Sequence, residues 1–165
     1  MPKTLAEIAE MMRDLDFAML STHSEGGTIA ARPMSNNRDV AYDGDSWYFA
    51  YENTRLVAEI RTNPKVGLGF QGKAGLLGMK PVFVHIEGVA ELIRDKAQFE
   101  GHWTKDLDRW FEQGVDTPGL TLIKVHGERA HYWTARIRAI WCWAARAPGP
   151  WRTLRGEEVR VGPIR

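Results

Sequence analysis

Apolar and polar residues alternate with a period of two over much of the chain, and this spacing is typical of β-strands. In residues 65–70, for example, Val66, Leu68 and Phe70 share one face, and glycines occupy the other. The pattern predicts strands at residues 17–22, 28–35, 46–51, 65–70, 81–93, 120–125 and 129–133. Strands that follow one another with few intervening helices favour an antiparallel barrel over alternating βαβ units.

Three stretches have helical spacing instead, and residues that can cap a helix lie at the start of each: Thr4 before 5–15, Asn53 or Thr54 at the start of 53–61, and Asp95 before 96–102. A further helical turn is expected over residues 105–111. The last two strands are predicted to form a hairpin, because Gly127 lies between them and suits a turn.

Two arginines lie near groups that can bind an anion. Arg55 falls in the first turn of the second predicted helix, where the macrodipole is positive and an arginine gains nothing from it. Free backbone N–H groups at a helix N-terminus attract anions. An arginine there, beside the Thr54 hydroxyl, therefore indicates a bound phosphate or carboxylate, and Arg32 could supply further donors to it. The alternative is that both arginines are solvated surface residues.

Four short motifs surround these arginines: Arg32-Pro33-Met34, Tyr48-Phe49-Ala50, Thr54-Arg55 before Ala58-Glu59-Ile60, and Asn63-Pro64-Lys65-Val66. Together they resemble the pyridoxamine 5′-phosphate oxidase-like flavin-binding split barrels. Later segments, at residues 110–116, 120–125 and 132–133, resemble the bacterial general stress protein branch of that family. The resemblance extends from about Leu5 to Trp133.

The resemblance implies a mainly β fold, a six-stranded antiparallel split β-barrel with flanking helices, in a domain spanning residues 1–133. It also implies a homodimer that holds FMN between its subunits; FAD, heme or a deazaflavin are the less expected cofactors. The family positions that contact FMN carry over to Arg32, Pro33, Met34, Phe49, Ala50, Thr54 and Arg55. An aromatic residue of the segment around Trp110 is expected to cover the flavin ring, although large aromatics at helical spacing also suit a core.

This sequence departs from the family pattern at three places. Leu56 stands where a phosphate-binding lysine is usual, and Ala50 stands where a hydroxyl-bearing threonine is usual. The run from Arg136 to Arg138 contains no histidine, whereas true pyridoxamine phosphate oxidases hold their substrate with an Arg-x-His pattern. Pyridoxamine phosphate oxidation is therefore not predicted.

Composition limits the classes of partner that the chain is expected to bind. The formal net charge of +1 gives no general electrostatic reason to bind nucleic acid or an anionic membrane. The single Cys142 suits a reducing cytosol, and neither a signal peptide nor a membrane span is recognisable, so a cytoplasmic protein is expected.

Residues 134–165 form a basic tail rich in Trp, Arg and Pro, with seven arginines against two glutamates. This tail is expected to wrap the dimer or to be partly disordered, and nucleic-acid binding by it is the weaker alternative.

Other chemical signals are weak. Residues 67–72 match the G-x-G-x-x-G pattern of dinucleotide-binding loops, but the following residues suit a loop better than a helix. The five histidines form no HxxxH or HxH pair, so no metal site is predicted. No nucleophile or other catalytic residue is recognisable. The resemblance implies an FMN-dependent oxidoreductase, and it leaves open a non-catalytic flavin-binding stress protein or a cofactor-free interaction module.

Overall fold

The computed structural model describes residues 4–13, 15–36, 42–72 and 82–133 in full, and the backbone of 134 and 156–160. Within these residues the chain forms seven strands: β1 Phe17–His23, β2 Ile29–Ser35, β3 Asp45–Tyr51, β4 Lys65–Gln71, β5 Val82–Ile93, β6 Leu120–Thr134 and β7 Gly156–Arg160. The described α-helices are α1 Leu5–Met12, α2 Arg55–Thr62 and α3 Lys96–His102, and short 3₁₀ turns lie at Glu25–Gly27, Lys105–Arg109 and Gly114–Asp116. Cys142, residues 136–138 and most of the predicted tail lie outside this description.

All described strand pairs are antiparallel, and six strands form one curled sheet in the order β2-β1-β4-β5-β6-β3. The predicted six-stranded antiparallel split barrel with flanking helices is thus confirmed. Strand β7 pairs with the second half of β6, beyond the stretch that pairs with β3. Strands β2 and β3 are the two ends of the six-strand path, so each keeps one backbone edge that no other described strand pairs with.

The predicted hairpin at the end of the barrel is wrong. Residues 120–134 form the single long strand β6, and Gly127 lies within it, opposite Gly88 of β5. The pairing register shifts between Glu87 and Gly88, as at a β-bulge. A Cβ atom on Gly88 would lie 2.2 Å from the carbonyl oxygen of His126, so only glycine permits this approach of the two backbones.

The capping predictions are confirmed. Thr4 and Glu7 form the capping box of α1, Thr54 caps α2, and Asp95 caps α3. Among the described residues, none of the helices combines the length and the apolar character that crossing a membrane requires.

Apolar side chains pack on both faces of the sheet near β3. The barrel interior holds residues such as Leu20, Leu68 and Ile86, and helices α1 and α2 pack against it. A second, aromatic cluster covers the other face of β3 and β6: Phe49, Phe99, Phe111, Leu120 and Leu122. This cluster holds residues 103–116 against the sheet, which brings Trp110 to the open edge of β3.

The G-x-G-x-x-G segment does not form a strand–turn–helix unit within the described residues. Gly67 and Gly69 lie inside β4, and a Cβ atom on Gly67 would lie 2.9 Å from Cε1 of His85 on β5. Gly67 therefore makes room for the side chain of His85.

Candidate functional site

A cleft of about 570 Å³ lies between the two end strands of the sheet, β2 and β3. The first turn of α2 and the segment from Leu107 to Phe111 complete its wall. All eight residues that the sequence predicts for cofactor contact line this cleft: Arg32, Pro33, Met34, Phe49, Ala50, Thr54, Arg55 and Trp110. Residues from four separate segments of the chain thus meet at one site.

Local structure places the two arginines at the same end of the cleft. Arg32 lies on β2, opposite Leu20 of β1, and its side chain is partly buried. Arg55 is the first residue of α2, which begins four residues after the end of β3 because Thr54 caps it. The Arg55 side chain is 70 % exposed.

A buried carboxylate, which the sequence interpretation did not include in the site, joins these arginines. Arg32 Nη2 donates to Glu59 Oε2 at 2.8 Å, and Arg55 Nε donates to Glu59 Oε1 at 2.8 Å. Thr22 Oγ1 donates to Glu59 Oε2 at 2.6 Å and accepts from Arg32 Nη1 at 3.0 Å. Arg55 Nη2 also donates to the Ser24 hydroxyl. We call these five residues the Glu59 cluster.

Glu59 stays ionised at neutral pH although its side chain is only 6 % exposed. The hydrogen bond from Thr22 does most to lower the pKa of Glu59, burial opposes it, and the hydrogen bond and positive charge of Arg32 lower the pKa further, to about 2. Two guanidinium groups and one carboxylate leave the cluster with a net charge of +1.

Thr54 acts as a helix cap in this structure. Its hydroxyl donates to the Tyr51 carbonyl oxygen at 2.8 Å and accepts weakly from the Val57 amide at 3.5 Å. The hydroxyl proton is therefore already used. At this end of the cleft the remaining donors come from the arginines and from the first backbone N–H groups of α2, which have no acceptor within the helix.

Leu56 and Ala50, the departures from the family pattern, are both buried core residues that also line the cleft. Leu56 packs into the barrel interior, so an apolar residue suits this position better than a lysine whose ammonium group would need water or a partner. The cleft wall is consequently apolar at these two positions.

The aromatic segment divides into core and surface residues. Phe111 is buried and packs against Phe49 and Trp103, as the core interpretation predicts. Trp110 is 65 % exposed at the mouth of the cleft. The Tyr51 hydroxyl donates to the Trp110 carbonyl oxygen at 3.4 Å, which ties this residue's backbone to β3.

The family model described as "pyridoxamine 5′-phosphate oxidase like" matches residues 3–147. The chain belongs to the pyridoxamine 5′-phosphate oxidase-like family. The match confirms the resemblance seen in the motifs and extends beyond Trp133, where those motifs end. No curated protein shows significant sequence similarity to the chain.

Solved structures of the pyridoxamine 5′-phosphate oxidase-like fold are similar to the chain at low sequence identity. A Clostridium acetobutylicum protein related to general stress protein 26 of Bacillus subtilis is 22% identical, with a TM-score of 0.65 over 82% of this chain and 96% of its own. The general stress FMN/FAD-binding protein of Xanthomonas citri is 24% identical, with a TM-score of 0.65 over 79% and 87%. A heme-binding protein of Mycobacterium smegmatis is 13% identical, with a TM-score of 0.66 over 97% and 59%. These similarities establish the fold of this family member.

Proposed function

We propose that this chain binds FMN in the cleft between β2 and β3 and acts as an FMN-dependent oxidoreductase. One observation carries the proposal: the eight residues predicted for FMN contact line a single cleft, with both arginines at the same end. Family membership and the FMN/FAD-binding protein of Xanthomonas citri with the same fold support it.

The arginine end of the cleft suits the phosphate of FMN. A phosphate monoester carries a charge of about −1.5 to −2 at neutral pH and accepts several strong hydrogen bonds. Arg32 and Arg55 offer charge-assisted donors, and the N-terminus of α2 adds backbone donors beside them.

The remaining cleft suits a flat aromatic ring with one polar edge. Met34, Phe49 and Ala50 provide apolar surface, and Trp110 can lie over it from the cleft mouth. The open backbone edges of β2 and β3 offer N–H and C=O groups to the polar edge of a flavin.

A bound flavin supplies hydride or electron transfer itself, while the protein supplies binding, orientation and exclusion of water. In this chain the arginines would fix the phosphate end, and the apolar wall would exclude water from the ring. No protein nucleophile is needed for such chemistry.

A homodimer that completes the cleft is part of the proposal. Phe17, Met19 and Ile29 are large apolar residues left exposed on β1 and β2, and Phe17 lines the cleft. Exposed apolar groups beside a binding cleft are typical of a surface that another chain covers. The cytoplasmic location predicted from the single Cys142 stays a prediction.

A visible absorption spectrum of the freshly purified protein tests the function. We expect the visible absorption bands of oxidised flavin, and release of FMN on denaturation. Reduction of this flavin by NAD(P)H, with reoxidation by an added acceptor, would establish an oxidoreductase. A yellow protein without turnover would instead support the non-catalytic flavin-binding alternative. A colourless protein that fails to take up added FMN would contradict the proposal.

A further inference from the structure

The contacts of Glu59 divide evenly between the two arginines that face the cleft. Oε2 accepts from Arg32 and Oε1 accepts from Arg55, each at 2.8 Å. Thr22, near the end of β1, accepts one further hydrogen bond from Arg32, and Ser24, just after β1, accepts one from Arg55. Each guanidinium has five N–H groups and uses two of them here, which leaves three on each for another acceptor.

The charge of Glu59 alone would work against an anion in the cleft. A buried carboxylate beside an anion site lowers the net charge from +2 to +1 and repels the anion. Its low pKa keeps it ionised through the neutral range. The carboxylate must therefore contribute something other than charge if the site binds phosphate.

Orientation is the contribution that the geometry supports. Arg55 has a long side chain that is mostly exposed, and such a side chain loses many rotamers when it is held against a ligand. Glu59 is rigid by comparison, because it is buried on α2 and bonded to Thr22. A rigid acceptor that already fixes one side of a guanidinium leaves less freedom to lose when an anion binds.

We propose that Glu59 is a positioning residue that holds Arg32 and Arg55 in the orientation in which their remaining N–H groups meet the cofactor phosphate. The proposal rests on the proposed function. It implies that replacing Glu59 with a neutral residue weakens phosphate binding although the site becomes more positive.

Glu59→Gln tests this implication, because glutamine has the same shape but only one acceptor oxygen. We expect the dissociation constant for FMN, measured by quenching of flavin fluorescence, to rise about tenfold or more, as for the loss of a charge-assisted contact. Glu52→Gln is the matched control, because Glu52 also accepts from two arginines, Arg61 and Arg94, outside the cleft. It should leave FMN affinity unchanged.

Arginine NMR signals separate positioning from a general structural effect. The Nε–H group of Arg55 donates directly to Glu59, so its exchange with water should be slow in the wild-type protein without ligand and faster in Glu59→Gln. If Glu59→Gln fails to fold, Glu59→Asp keeps the charge but is one methylene too short to reach both arginines. It should then show the faster Arg55 exchange and weaker FMN binding.

Equal or tighter FMN binding by a folded Glu59 variant would overturn the proposal. Weaker binding without a change in the Arg55 signal would also overturn it, because the loss would then not pass through orientation. If the wild-type protein binds no FMN, the proposed function fails. The positioning role of Glu59 is then tested by the exchange rate of the Arg55 Nε–H proton and by titration with inorganic phosphate. Absence of phosphate binding, or phosphate binding unchanged in Glu59→Gln, would then overturn the role of Glu59 as well.

Discussion

Two carboxylates of this chain each accept hydrogen bonds from two arginines, yet their surroundings differ. Glu59 is 6 % exposed and joins Arg32 to Arg55 at the cleft. Glu52 is 38 % exposed and joins Arg61 to Arg94 on the surface. Helix α2 carries members of both groups, Glu59 on its buried side and Arg61 on its exposed side.

The difference shows that burial determines how strongly a carboxylate depends on its two arginine partners. Water can replace a lost partner of Glu52, and exposed ion pairs contribute little to stability. Water reaches the buried Glu59 less readily, so losing its more buried partner, Arg32, leaves a charge that is poorly compensated. A buried carboxylate therefore constrains two arginines that a surface carboxylate would leave mobile.

The largest expected effect comes from removing one buried partner. Arg32→Ala should lower the free energy of unfolding by about 3 kcal/mol, because Glu59 then keeps its charge with fewer donors. Arg61→Ala removes a partner of Glu52 and should change stability by less than about 0.5 kcal/mol. Urea unfolding followed by circular dichroism measures both. Equal losses in the two variants would abolish the distinction between the sites.

Acid should affect the buried carboxylate over a defined pH range. Glu59 has a pKa of about 2 in the folded protein against an ordinary value of 4.5, so the unfolded chain takes up its proton first as pH falls. The stability that Glu59 contributes is complete above about pH 5 and is lost progressively toward pH 2. Thermal unfolding between pH 7 and 2 should show a shallower decline in Glu59→Gln than in Glu52→Gln. Parallel curves would contradict the assigned ionisation.

Arg55 should matter more for binding than for stability. Its side chain is mostly exposed, so Arg55→Ala should alter the free energy of unfolding by less than about 1 kcal/mol. Loss of a charge-assisted phosphate contact should raise the FMN dissociation constant about tenfold or more. Arg94→Ala, a partner of Glu52, is the control and should bind FMN like the wild type. Unchanged FMN affinity in Arg55→Ala would remove this residue from the site.

The smallest effect concerns the cap of the helix that carries Glu59. Thr54→Ala should lower stability by about 1 kcal/mol, as the loss of an N-cap does, and Thr4→Ala should do the same at α1. Because the Thr54 hydroxyl already donates to the Tyr51 carbonyl, FMN affinity should fall less than about threefold in Thr54→Ala. Isothermal titration calorimetry of both variants measures this. A tenfold loss confined to Thr54→Ala would show that the hydroxyl binds phosphate directly.

Much of the fold followed from local pattern. Alternation predicted β1 to β5 and the two parts of β6, but not β7, and residues that can cap a helix lay at the helix starts, because caps and side-chain period depend on near neighbours. Gly127 misled the interpretation, since glycine suits both a turn and a bulge. Only the partner strand decides between them, and here Gly88 lies opposite Gly127 at a register shift within the β5–β6 pairing.

The candidate site, like the fold, was predictable in part from local sequence and was decided in part by the tertiary structure. The sequence by itself determined on which elements the candidate residues lie, and its short motifs carried the resemblance that implies a flavin, because both are local properties of the chain. Only the tertiary structure showed that Arg32 reaches Glu59, 27 residues away, and that Leu56 is buried. The curling of the sheet brings β2 and β3 together across the cleft, and such long-range pairing depends on how the whole core packs rather than on any single segment.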